Sequence, residues 1–110
     1  LYVIRNTADW TTIVNTTLVS GDIVRVVDNI GINSDIGVIS VPAGVVFNGN
    51  GFTIFVNLNS SLNGLFSLSG GTIRNFVLAL SGESNFSSIL LQDNSYGTVT
   101  TCKISGGTAS

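Results

Sequence analysis

Six carboxylates, four basic side chains, one cysteine and no histidine are the groups this 110-residue chain offers for chemistry. The acids Asp9, Asp22, Asp28, Asp35, Glu83 and Asp93 are dispersed, with no two adjacent. General acid and base work on a glycoside needs two carboxyls held roughly 5 to 10 Å apart, so a catalytic pair would have to be assembled across the fold. Asp28 and Asp35 share one predicted loop, but a hard-cation cage takes about six to eight oxygens, and these two acids read as solvated loop residues. Alternation along its run assigns Arg74 to an outward strand position, a surface role. Cys102 is the only cysteine, which excludes an intramolecular disulfide. Its place in the β-like run 99–104 reads as a small core hydrophobe, with an intermolecular bridge as the alternative. No residue is assigned a catalytic, metal-binding or cofactor-binding role. Tyr96 and Phe55 could stack on a sugar, and packing under loops is the competing reading.

Charge narrows the partners further. Only 9% of residues are charged, 44% are hydrophobic and the net charge is −2, so solubility rests on hydroxyl and amide side chains. The basic residues Arg5, Arg25, Arg74 and Lys103 are scattered and form no stripe of the kind that neutralises phosphates, so nucleic acid is not an expected partner. Mean hydropathy is +0.50, yet Pro42, the segment 48–51 and Asn57 interrupt the apolar runs before they reach the ~20 residues of a spanning helix. The opening Leu1-Tyr-Val-Ile-Arg has neither an initiator methionine nor the layout of a signal peptide, and the chain is expected to be a piece of a longer one. Asn15, Asn59 and Asn85 head glycosylation sequons that matter only in a eukaryotic secretory pathway.

Residues able to do chemistry must be held by the elements around them, and those elements read as short strands after one helix. Residues 1–4 form a first strand. Thr7 is the expected N-cap of a two-turn helix with Asp9 in its first turn, and Trp10, Ile13 and Val14 share one face at i, i+3 and i+4. That face is expected to cap the end of the structure. Strands follow at 23–27, 38–41, 45–47 and 53–56, with a loop over 28–35 and turns at Pro42-Ala-Gly44 and Asn48-Gly-Asn-Gly51. Later strands come from 65–68, Ile73, 76–80, 89–91, Val99 and 102–104.

Three phrases repeat: Gly51-Phe-Thr-Ile, Gly71-Thr-Ile-Arg-Asn-Phe and Gly97-Thr-Val-Thr-Thr-Cys. Aligning Thr53 with Thr72 gives a spacing of 72 − 53 = 19, and Thr72 with Thr98 gives 98 − 72 = 26, in the range of about 20 to 50 that marks stacked repeats. Asn50-Gly51 and Asn63-Gly64 could be hairpin turns. The bends inside the repeated unit, at Asn75 and the matching Thr101, favour a coil of parallel strands. The expected fold is all-β: a right-handed parallel β-helix of about four to five coils with a short amino-terminal capping helix. It is taken as one domain over 1–110, with the strand and cap in 1–20 and the coils in 21–110. Gly49, Asn50, Gly51, Asn75 and Thr101 are its stacking and turn residues.

The stretch from Ala8-Asp9-Trp10 through Ser20-Gly21-Asp22-Ile23-Val24-Arg25-Val26 resembles the amino-terminal cap of the pectate-lyase-like superfamily of right-handed parallel β-helices. Val41-Pro42-Ala43-Gly44-Val45 and Phe47-Asn48-Gly49-Asn50-Gly51-Phe52-Thr53-Ile54 are similar to the rungs that follow there. Thr72-Ile73-Arg74-Asn75-Phe76 and Gly97 to Cys102 look like its later coils, with Asn75 at an asparagine-ladder bend. The resemblance implies polysaccharide lyases and hydrolases, phage or virus spike proteins, or surface proteins. The clustered aspartates with a histidine, and the acidic calcium site, that mark its enzymes are not found in this sequence.

The expected function is therefore a non-catalytic structural or assembly module of an exterior protein, on a virion or cell surface. It would work by rigidity and by self-association, or by joining the rest of a parent chain, through an open carboxyl-terminal coil. The alternative is carbohydrate binding, or the amino-terminal portion of a carbohydrate-active enzyme, with a polysaccharide as partner.

Overall fold

In the computed structural model, which describes residues 1–32, 37–57, 64–84, 90–92 and 94–109, the short apolar runs become parallel strands wound around one core. They are β1 (Tyr2–Ile4), β2 (Ile23–Val26), β3 (Ile30–Ile32), β4 (Ile39–Pro42), β5 (Val46–Asn48), β6 (Thr53–Asn57), β7 (Phe66–Ser84) and β8 (Tyr96–Ala109), with one helix, α1 (Thr7–Val14), after β1. Every strand pair among the described residues is parallel. Parallel neighbours need a long connection between them. Here the connection is the rest of the coil, which makes the chain a β-solenoid.

Side-chain alternation decides what points inward. On the first face Tyr2, Val24, Phe47, Ile73 and Val99 stand in one column. The second face stacks Ile30, Ile54, Leu78 and Ile104, and the third stacks Ile39, Phe66 and Leu91. Arg25, Asn48, Arg74 and Thr100 form the outward column beside the first of these. Hence no polar or charged side chain belongs to the buried core among the described residues.

The solenoid has about three turns rather than four to five. Two features shorten the count. The stretch before Val24 goes to β1 and the cap, and later turns are longer than the 24 − 2 = 22 residues from Tyr2 to Val24: 73 − 47 = 26 on the first face and 66 − 39 = 27 on the third. Register also corrects the repeat alignment. Thr72 does stand opposite Thr98, but Thr53 pairs with Val77, a step of 77 − 53 = 24. The phrase at 51–54 leads into the second face and the phrase at 71–74 into the first; the two look alike because each strand follows a glycine.

Two strand boundaries differ from expectation. Ile30–Ile32 is a strand, not part of a loop, because Ile30 and Ile32 alternate inward across Gly31 and pair with Ile54 and Val56. The tail beyond Ile104 continues as strand to Ala109, where it pairs with Ser84. Residues 59, 60, 63, 85, 89 and 93, to which sequons, a turn, a strand start and an acid were assigned, lie outside the described residues, as does Asp35.

The helix begins one residue earlier than expected. Asn6 is extended, at φ −161° and ψ 178°, and its side chain accepts the Asp9 N–H at 2.9 Å, which makes it the N-cap. Thr7 is the first helical residue, and its hydroxyl donates to the Gly31 carbonyl at 2.6 Å, tying α1 to β3. Trp10 and Ile13 are buried and Val14 packs against the core from its edge. The indole of Trp10 lies 5.7 Å from the Phe47 ring and 5.6 Å from Phe66, which are 4.8 Å apart, giving an edge-to-face aromatic centre under the helix.

Candidate assembly surface

Three of the acids, Asp9, Asp22 and Asp28, are engaged locally. Arg5 donates to Asp9 from its backbone N–H at 2.9 Å and from Nε at 3.0 Å. The Arg5 side-chain hydrogen bond, then its backbone one, holds the Asp9 carboxyl below the usual range, against a smaller upward push from burial. Asp22 accepts the Val19 N–H at 2.8 Å, and Asp28 the Asn29 N–H at 2.7 Å. Arg74 is exposed between Asn48 and Thr100. Among the described residues no group of three or more acids, cysteines or histidines comes together that could hold a metal ion.

The bend residues meet as a stack. Asn50, Asn75 and Thr101 have φ of 56°, 64° and 52°, the left-handed conformation that turns the chain from the first face to the second. Their contacts are mainly backbone: the Gly49 N–H donates to the Arg74 carbonyl at 2.9 Å and the Gly51 N–H to the Asn75 carbonyl at 2.8 Å. Side chains add to this at the first bend, where Asn48 Oδ1 accepts the Asn50 N–H at 2.9 Å and Asn29 Oδ1 accepts the Thr53 N–H at 2.9 Å. Sequence reasoning missed Asn29, and the signal was its place just ahead of the Ile-Gly-Ile strand. Gly49 is needed because a Cβ there would run into the Phe76 Cβ and the Asn75 carbonyl. Gly51 is needed for its φ of 81°.

The two aromatic sugar candidates stand apart. Phe55 is 52% exposed on the second face beside Ala79, at a shallow hollow of about 210 Å³, and Tyr96 leaves the third face beside Ser69. Drug-sized ligands occupy clefts of about 300 to 1,000 Å³, so the Phe55 hollow suits no more than an edge contact. A second hollow of about 330 Å³ lies between the end of α1 and the third face, with Thr16, Thr17, Ser40 and Ser69 among its walls.

The surface that stands out is the final rung. Ile73 and Leu78 are fully buried on β7, whereas Val99 and Ile104, one rung on in the same columns, are 41% and 42% exposed. Cys102 follows Phe76 at the bend and is half-buried, and that burial pushes its thiol pKa up. Its thiol donates to the Thr100 carbonyl at 3.2 Å. The inward side chains of β8 thus continue the core columns with no further strand over them among the described residues. The opposite end is closed by Trp10 and Ile13 of α1.

Comparison with protein families, with curated proteins and with solved structures gave no match to this chain. No helix among the described residues is long and apolar enough to cross a membrane.

Proposed function

We propose that this chain is a non-catalytic structural module, a rigid β-solenoid whose β8 rung takes up further strands, from a second copy or from the rest of a parent chain. The carrying observation is the exposure of Val99 and Ile104 in columns that are fully buried one rung below. Exposed apolar positions along a long unpaired strand edge form a template for strand addition. The local engagement of Asp9, Asp22 and Asp28 supports a non-catalytic role. A surface carried by hydroxyls and amides supports an exterior setting, on a virion or cell surface. Within that reading the left-handed bends and the helical cap support kinship with the pectate-lyase-like superfamily and a right-handed coil, the hand that parallel strand crossovers almost always take.

Light scattering over a concentration series tests this. The expected result is a mass that rises above the 11.4 kDa of the single chain, and that returns to it in a Val99→Lys, Ile104→Lys variant whose circular dichroism is unchanged. A single-chain mass up to the solubility limit would overturn the assembly reading, and an oligosaccharide screen at Phe55 would be the next step.

A further inference from the structure

We propose that Asn50 is a latent modification site, an asparagine that deamidates spontaneously once the bend opens and that a backbone carbonyl of the next rung otherwise keeps unreactive. Asparagine is among the thermolabile residues. Its side-chain amide is attacked by the backbone nitrogen of the residue that follows, and glycine, with no side chain, obstructs that attack least. Two such pairs, Asn48-Gly49 and Asn50-Gly51, stand side by side where β5 gives way to β6.

The fold treats the two pairs differently. Asn50 and Gly51 have φ of 56° and 81°, and the Phe52 N–H donates to the Gly49 carbonyl at 3.0 Å. They are the two central residues of a turn with both φ positive, the pattern that Asn-Gly favours. Both are exposed, and among the described residues nothing lies within 4 Å of the place a Gly51 Cβ would take, so a five-membered ring has room to close. Asn48 is half-buried at the end of β5, and its Oδ1 is held by the Asn50 N–H at 2.9 Å. Gly49 lies against Phe76 and the Asn75 carbonyl, where even a methyl group does not fit. Ring closure at Asn48 is therefore blocked, and the reactive pair is Asn50-Gly51.

That pair is latched by β7. The Gly51 N–H donates to the Asn75 carbonyl at 2.8 Å. The nitrogen must lose its proton and turn toward its own neighbour's side chain before it can attack, and neither step occurs while this hydrogen bond stands. Conversion thus waits for local opening of the bend, and its rate is that of the free turn multiplied by the fraction of time the bend is open. The latch joins β7 to the bend ahead of β6 and is independent of what covers β8.

In the open bend hydroxide takes the Gly51 amide proton, and the nitrogen bonds to Asn50 Cγ. The bond from Cγ to the side-chain nitrogen breaks, ammonia leaves with a proton from water, and a succinimide remains. Water then opens the ring. Cleavage at the side-chain carbonyl gives aspartate, and cleavage at the main-chain carbonyl gives isoaspartate, whose backbone runs through Cγ. The longer backbone cannot restore the 49–52 turn and the Gly51 to Asn75 hydrogen bond together, so each conversion leaves the bend permanently loosened.

The test is to hold the protein in mildly alkaline buffer, folded or unfolded in urea, and to digest samples with chymotrypsin. Cleavage after Phe47 and Phe52 frees residues 48–52, and tandem mass spectrometry assigns the conversion to Asn48 or Asn50. The unfolded chain is expected to convert at both. The folded protein should convert at Asn50 alone, slower by about tenfold or more, the factor that one hydrogen bond at the upper end of its net worth supplies. Ile73→Ala, which loosens β7 beside the latch, should speed conversion at Asn50 in the folded protein and leave the unfolded rate unchanged. Equal conversion of Asn48 and Asn50 in the folded protein, or a rate at Asn50 that unfolding does not raise, would overturn the proposal. So would an Asn50 that stays intact in folded Ile73→Ala while it converts in urea.

Discussion

Trp10 carries the largest single packing role, since it lies fully buried against Phe47 and Phe66 and seals the amino end of the core. Replacing a buried aromatic by alanine typically costs about 3 to 5 kcal/mol, and Trp10→Ala is expected to fall in that range by urea unfolding. Among the described residues the indole Nε1 has no hydrogen-bond partner, a burial cost of about 1 to 3 kcal/mol that the native chain already bears. Trp10→Phe removes that orphan donor while keeping most of the ring, so it should cost clearly less than Trp10→Ala. Asp9 sets the acid response of the cap. Its carboxyl is depressed in the folded state by Arg5, so its contribution is present above the ordinary carboxylate pKa and is lost as pH falls through the folded value. The stability gap between native protein and Asp9→Asn should therefore exist at neutral pH and close on acidification. An equal gap at every pH would show that the Arg5 contact is not its source.

Elements matter here through register more than through propensity. The bend from the first to the second face works only if successive rungs approach closely, and Gly49 is where they touch. Gly49→Ala drives a methyl into the Phe76 Cβ and the Asn75 carbonyl, neither of which can swing away, so a loss of about 1 to 3 kcal/mol is expected, larger than for alanine at half-buried Gly31, where nothing lies within 4 Å. The same columns give a graded comparison. Ile73→Ala removes side-chain volume from a fully buried site and should cost about 2 to 5 kcal/mol, whereas Val99→Ala, one rung on and 41% exposed, should cost well under half of that in the single chain. Equal losses at the two sites, measured below the association range, would mean that β8 is as covered as β7. At this scale the alternating runs and the glycine turns were readable in advance. The strand at Ile30–Ile32 was not, since three residues between polar neighbours carry too little pattern to separate a strand from a loop.

For the whole molecule, the proposed assembly rests on the contrast between α1 and β8. One end is closed by a helix whose apolar face meets the aromatic centre, while the other presents β8 with Val99 and Ile104 continuing the core columns. On the proposed reading, association there would be driven by apolar burial and backbone pairing, with Lys103 as the sole charge on β8. Raising ionic strength screens charge contacts and leaves apolar burial intact. The concentration at which mass doubles in light scattering should thus be nearly unchanged between dilute buffer and molar salt. A sharp weakening with salt would move the interface away from β8 toward the Arg25 and Arg74 column.

The amino-acid sequence by itself determined the class of fold. Period-two alternation, glycine before each run and the bends at Asn75 and Thr101 are local signals, each written within a few residues, and they suffice to specify strands, turns and a capping helix. What only the tertiary structure decided was which run lies beside which: Thr53 against Val77 and not Thr72, about three turns and not four to five, Asn6 and not Thr7 as the cap once the Thr7 hydroxyl is drawn to Gly31. Those outcomes depend on contacts more than 20 residues apart, where phrases that look alike compete for the same partner and the choice falls to the register that buries every column at once.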